Sequence, residues 1–261
     1  MPQFADARIN PVFRYRDAPR AIEWLAGAYG LVTQELHSTP SGEVVHAELR
    51  FGPSAIGISS AGPLVDGNPW TAVRLGVYVC LKEVDALFAR AVSGCAEVAQ
   101  PLADTSYGAR EGSLRDPGGH LWSLGTYPMG SVDADPTLFV ALHYRDGRGA
   151  AAFLQHAFGF APGLIVDTDG VIHHGEFTLG RDVAMMSASP RECGYWGDHS
   201  QCTCAYVADV DAHHAQALAS GATILQPPQD TPYGARGYYT SDCEGFVWGF
   251  GSYRPKPAAQ S

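Results

Sequence analysis

Asp104-Thr105-Ser106-Tyr107-Gly108-Ala109-Arg110, then Asp116-Pro117-Gly118-Gly119-His120-Leu121-Trp122, closes at Tyr127. The same stretch returns 126 residues later. There it reads Asp230-Thr231-Pro232-Tyr233-Gly234-Ala235-Arg236, then Asp242-Cys243-Glu244-Gly245-Phe246-Val247-Trp248, and closes at Tyr253. Each copy reads as a polar turn, a short strand, a tight hairpin at Asp-Pro-Gly-Gly or Asp-Cys-Glu-Gly, and a strand carrying Trp. Two copies without a gap indicate duplication, which governs the reading of everything else.

Working outward, each copy is preceded by the same order of elements. Residues 9–16 predict a strand. Asp17 caps a helix from Ala21 to Tyr29 with Pro19 in its first turn, and Gly30 stops it. Strands follow at 31–36, 43–51 and 55–59. The second half repeats this through Tyr144-Arg145-Asp146, a helix ending at Phe158-Gly159, and strands at 163–167, 171–179 and 183–187; the offset there is 129 at the opening strand. In each half a further strand (73–81, 202–207) and a helix starting Val-Asp-Ala (84–92, 210–219) lead into the signature stretch. The chain therefore reads as four β-α-β-β-β units in two tandem domains, 1–128 and 136–253, joined by a Gly/Ser/Asp/Pro segment.

Composition narrows the function classes. A chain of 261 residues with 46% apolar content can bury a core for each half. A formal charge of −10 disfavours a nucleic-acid face. No long uninterrupted apolar run predicts a membrane span, and the N-terminus lacks a signal-peptide pattern, so the cytoplasm is the expected compartment. Six cysteines include no Cys-x-x-Cys. Cys202-x-Cys204 places two thiols on one strand face, as small core residues or as a metal clip. A Ser-nucleophile elbow and a Gly-rich phosphate loop are both missing from the sequence.

The order of elements, with Tyr-Gly-Ala-Arg followed by Asp-Pro-x-Gly-His-x-Trp, resembles the vicinal oxygen chelate superfamily, in its glyoxalase-like, bleomycin-resistance-like branch. The resemblance covers residues 9–127 and 137–253. It implies an α+β fold in which two β-α-β-β-β units pair into a curved mixed sheet around a cleft, so that the chain holds two tandem glyoxalase-like domains. It also implies a divalent metal held by His, Glu or Gln on the first and last strands of the units. The matching positions here are Asn10, Gly76 and Ser123 in the first half and Phe139, Cys202 and Gly249 in the second. These are poor ligands, so no metal and no other cofactor is expected.

Other residues could serve a cleft. His46-x-Glu48 and His174-x-Glu176 occupy matching strands, each pair on one face, as ligands, as proton donor and acceptor, or as part of a solvated strand. Arg14 and His143 are equivalent on the opening strands and suit an anionic or carbonyl group. Tyr107 and Tyr233 lie in the signature turns. Trp70 and Trp196, in Gly/Pro-rich loops, suit a lid over a flat ligand or an interface between domains. Arg110 and Arg236 are expected to bond loop carbonyls or the hairpin acids Asp116 and Asp242, and Trp122 and Trp248 to pack in the core. The expected function is binding of a small molecule, an antibiotic or an aromatic metabolite, by a chain able to form a homodimer. The alternative is a lyase, isomerase or dioxygenase using nonstandard ligands or metal-free acid–base catalysis.

Overall fold

The computed structural model describes residues 8–61, 75–128, 137–189, 201–232 and 234–254. The first unit comprises β1 (Ile9–Tyr15), α1 (Ala18–Tyr29), β2 (Val32–Ser38), β3 (Val44–Phe51) and β4 (Ser54–Ser60). The second comprises β5 (Leu75–Cys80), α2 (Val84–Ser93), β6 (Glu97–Asp104), β7 (Arg110–Arg115) and β8 (Leu121–Gly125). The third runs β9 (Thr137–Tyr144), α3 (Gly147–Phe158), β10 (Ala161–Thr168), β11 (Val171–Leu179) and β12 (Asp182–Ala188). The fourth runs β13 (Gln201–Tyr206), α4 (Val210–Ala219), β14 (Thr223–Asp230), β15 (Arg236–Ser241) and β16 (Val247–Gly251).

Local chemistry explains these bounds. The Asp17 carboxylate accepts from the Arg20 amide, and Asp146 does the same for Gly149, so α1 and α3 start with a side-chain cap. With that cap in place α1 begins at Ala18, three residues earlier than its sequence predicts. Gly30 and Gly159 close the two helices in the left-handed conformation, at φ 79° and 77°. The strands leading into the signature stretch, β6 and β14, contain Pro101, Pro227 and Pro228, which mask their strand character. Both lie at sheet edges, where a missing amide donor is tolerated.

The chain forms an α+β fold with two eight-stranded mixed sheets. The first has the order β14-β15-β16-β13-β1-β4-β3-β2 and the second β10-β11-β12-β9-β5-β8-β7-β6. This corrects the expected pairing. Consecutive units do not share a sheet: the first unit pairs with the fourth through β1–β13, and the second with the third through β5–β9, both antiparallel. Side-chain packing follows the other division. One core joins Phe13, Leu25, Tyr29 and Leu49 to Val77, Leu87 and Trp122; the other joins Tyr144, Leu154, Phe158 and Phe177 to Val210, Tyr238 and Trp248. Backbone hydrogen bonds thus tie the halves crosswise, and the two helix-side cores each draw mainly on one half.

One buried carboxylate reinforces the packing within each half. The Tyr15 hydroxyl and the Trp122 indole donate to Asp116, at 2.5 and 3.0 Å. Tyr144 and Trp248 donate to Asp242, at 2.7 and 3.1 Å. Each Asp also accepts two amides of its own hairpin. Both tryptophans are fully buried on the helix side, as expected. The signature arginines differ from expectation: Arg110 pairs with Asp85 and Asp104, and Arg236 with Asp211 and Asp230, on the surface. Asp116 and Asp242 are too deeply buried to be their partners.

Candidate functional site

Alternation along β1 sends Ile9, Phe13 and Tyr15 toward buried surroundings and leaves Asn10, Val12 and Arg14 partly exposed on the opposite face. Register carries that face across the first sheet. Asn10 lies opposite Cys204, which lies beside Gly249. Val12 lies beside Gly57, and Gly57 opposite Glu48. Glu48 pairs with Glu35 and His46 with His37 on β2. One face of the first sheet therefore presents Asn10, Arg14, Cys202, Cys204, His46 and Glu48 together.

Arg14 donates to the Ser60 carbonyl at 3.2 Å, and burial lowers its pKa from the usual guanidinium range. Glu48 is 4% exposed. Its carboxylate lies 3.4 Å from Arg50 and 3.5 Å from the Tyr253 hydroxyl, which also reaches Glu35 at 3.5 Å. Burial, then Glu48 and Glu35, push the Tyr253 hydroxyl up to about 12. His46 stands edge-on to Tyr253, with centroids 6.1 Å apart. Its buried Nε2 has no hydrogen-bond partner, and burial lowers its pKa despite the pull of Glu35. At neutral pH the ring is a neutral imidazole facing a buried acid and a phenol.

The second sheet has the equivalent face, filled differently. Phe139 lies opposite Tyr78, where the first sheet has Asn10 opposite Cys204. Met185 and Val183 stand where the first sheet has Gly57 and Ala55. Tyr78, Leu121, Phe139, Ala141 and Val183 are buried in a cluster of their own, with Tyr127 and Met185 packed against it. The Tyr78 hydroxyl donates to Glu111 and accepts from the Tyr127 amide, both near 3 Å. Burial raises its pKa far above the usual phenol range.

The sequence candidates divide between these faces. Arg14, His46 and Glu48 belong to the first. His143, His174, Glu176 and Tyr107 belong to the second. His143 is buried against the Ser187 hydroxyl at 2.9 Å. His174 bonds Glu176 at 3.3 Å and meets the Tyr127 ring edge-on. Tyr107 is exposed at the rim and donates to Glu111 at 2.6 Å. Tyr233, Trp70 and Trp196 lie outside the described residues. Tyr78 and the Asn10–Cys204 contact carry no signal in the sequence, because they depend on the crosswise register, whereas Tyr253 is visible there as the end of the repeat.

The family metal positions are also reassorted. Asn10 meets Cys204 and Gly249 from the far half, and Phe139 meets Gly76 and Ser123 through Tyr78. An amide, two thiols and a glycine on one face, and a phenyl, a phenol and a serine on the other, do not fit the His/Glu set that holds such a metal. Among the described residues no three His, Cys, Asp or Glu side chains converge as a metal-binding group. No helix among them is long and apolar enough to cross a membrane.

Comparison with known proteins agrees with this architecture. Residues 138–250 match the family model described as Glyoxalase/Bleomycin resistance protein/Dioxygenase superfamily. Uncharacterized proteins of Mycobacterium bovis and Mycobacterium tuberculosis are 32% identical over 133 residues, 49% of this chain and 87% and 78% of theirs. The crystal structure of glyoxalase I from Zea mays superposes with a TM-score of 0.71 at 15% identity, covering 94% of this chain and 92% of that one, a likeness of fold. With the repeat, the two mixed sheets and the family match together, the chain belongs to the glyoxalase/bleomycin resistance protein/dioxygenase superfamily.

Proposed function

We propose that the chain binds one small organic molecule, on the helix-free face of the first sheet. The observation that carries this reading is the contrast between two equivalent strands. In β9 every residue is buried, so both faces are covered by the protein itself. In β1 burial alternates, so one face is left accessible beside small side chains. Partly apolar surface with a few convergent polar groups is the usual make-up of a ligand site. Arg14 supplies a cation for a carboxylate or carbonyl group. Glu48, Tyr253 and His46 supply acceptors and donors on the opposite flank. Trp70 or Trp196 as a lid over an aromatic ligand belongs to the same proposal.

Transplanting the filled face tests it. Calorimetric or fluorescence titration of the wild-type chain against a panel of aromatic metabolites and antibiotics is expected to find a ligand with one equivalent per chain. Asn10→Phe with Gly57→Met is expected to abolish that binding while the chain stays folded. Two equivalents, or unchanged affinity in the folded double variant, would sink the proposal.

One observation favours catalysis on the same face: the bare, neutral Nε2 of His46 beside Glu48 and the Tyr253 phenol, a set able to take up and return a proton. Under that reading Glu48→Gln stops turnover of a bound ligand and leaves its affinity within a few fold.

A further inference from the structure

The outer strand β10 of the second sheet is built unlike the other sheet edges. It is exposed along its whole length, and Leu164, Ile165 and Val166 stand 48%, 39% and 45% exposed in a row. We propose that this edge pairs antiparallel with β10 of a second copy of the chain, about a twofold axis at Ile165, so that two second sheets become one.

An edge strand presents backbone amides and carbonyls with no strand beside them, and proteins guard such edges with prolines or charges. Among the described residues the other three edges are guarded. β6 carries Pro101, and β14 carries Pro227 and Pro228. β2 carries Glu35, bonded to His37 at 2.9 Å. Register makes β2 the counterpart of β10. Leu36 and His37 lie opposite Ala47 and His46 on β3, as Ile165 and Val166 lie opposite Gly175 and His174 on β11. Leu36 thus corresponds to Ile165, and the flanking Glu35 and His37 are replaced by Leu164 and Val166. The one proline of β10, Pro162, lies near its start, outside the apolar run. Register shifts interrupt all four edge ladders, so bulging does not set β10 apart.

The strand's own sequence selects the occupant. Pairing β10 with itself about position 165 sets Ile165 opposite Ile165, Leu164 opposite Val166, and Gly163 opposite Asp167. Apolar side chains meet apolar ones, and no charge meets a like charge. Asp167 is already held by Arg148 at 2.9 Å and by the Gly170 amide, so it brings no bare carboxylate to the seam. A contact of this kind uses the same patch on both copies and closes at two. It engages the second sheet, whereas the organic ligand is assigned to the first, so either reading can fail without the other.

Analytical ultracentrifugation of the full chain tests the pairing. A reducing buffer keeps the exposed Cys95 and Cys243 from cross-linking copies. The mass is expected to rise with concentration from 27.8 kDa toward twice that value. Ile165→Lys sets two ammonium groups face to face across the axis and is expected to weaken dimerisation at least about 10-fold. Ile165→Asp is expected to do the same. Mixed in equal amounts, the two variants are expected to recover the dimer, which neither unfolding nor a general loss of apolar surface would produce. Leu36→Lys, on the guarded counterpart, is expected to dimerise like wild type. A wild-type chain that stays at 27.8 kDa at every concentration overturns the proposal. So does a dimer that survives Ile165→Lys, or one that Leu36→Lys breaks equally well. Failure of the mixed variants to pair overturns the axis at Ile165.

Discussion

The helix-free faces of the two sheets descend from one plan and have diverged in opposite directions. Opposite residues on the opening strands are Phe139 and Tyr78 in one sheet, Asn10 and Cys204 in the other. The neighbouring strand contributes Val183 and Met185 in one, Ala55 and Gly57 in the other. In the second sheet the large side chains close on themselves into a buried cluster. In the first, truncated counterparts leave Arg14, Cys204 and Tyr239 partly exposed. The lesson is that a duplicated fold can turn one of two equivalent faces into core. Apolar burial of about 25 cal/mol per Å² stabilises the filled face, and the other face is left for chemistry that a core cannot host.

The largest expected effect comes from undoing that division. Phe139→Asn with Tyr78→Cys places polar and small groups where the second sheet is packed. A loss of about 3–5 kcal/mol or more is expected, by analogy with large-to-small changes of buried aromatics, and chemical denaturation measures it. If the doubly substituted chain is as stable as wild type, the second face is not core.

The next effect concerns a feature both halves share. Burial lifts the Asp242 carboxyl to about 6, above its unfolded value, against the pull of its four donors. Between about pH 4 and pH 6 the unfolded chain has released this proton and the folded chain has not. Stability from this group is therefore present below the unfolded pKa and is lost as pH rises through the folded one, by about 3 kcal/mol in total. Asp242→Asn is expected to flatten that slope in pH-dependent denaturation, at a cost in absolute stability because a carboxamide cannot accept from all four donors. A slope unchanged by the substitution would assign the pH dependence elsewhere.

Arg14 and His143 sharpen the comparison, because they are equivalent in sequence and unlike in setting. Arg14→Ala is expected to lower organic-ligand affinity about 10-fold or more, as for loss of a charged hydrogen bond, with little change in melting temperature. His143→Ala is expected to do the reverse, since its ring is buried and bonded to Ser187. Equal effects on affinity would mean that both faces bind. The smallest effect belongs to the surface clamps: Arg110→Ala and Arg236→Ala each break exposed ion pairs, which contribute little in water. A marginal shift in melting temperature is expected for either.

Part of this contrast is legible in the strands themselves. Thr137-Leu138-Phe139-Val140-Ala141-Leu142-His143-Tyr144 is apolar almost throughout, the pattern of a strand covered on both sides. Ile9-Asn10-Pro11-Val12-Phe13-Arg14-Tyr15 breaks that run with Asn10 and Arg14. The pairing of His46 with Glu48 on one face also follows from spacing. Tyr253 over Glu48 does not, because 205 residues separate them in the chain. Nor does the meeting of Asn10 with Cys204, which depends on which strand lies next to β1.

By itself, then, the sequence determined the order of the four units, the Asp and Gly caps of the first and third helices and the hairpins of the signature stretch. These are local: a capping Asp, a left-handed Gly and an alternating strand act over a few residues. Only the tertiary structure decided that the first unit shares its sheet with the fourth. The opening strands β1, β5, β9 and β13 pair through backbone amides and carbonyls, which every residue but proline offers alike. Their partners are selected by how the helix-side cores pack and where the linking segments carry the chain. That choice brings two cysteines, an asparagine and an arginine from opposite ends of the chain onto one face, and it is encoded in no single stretch.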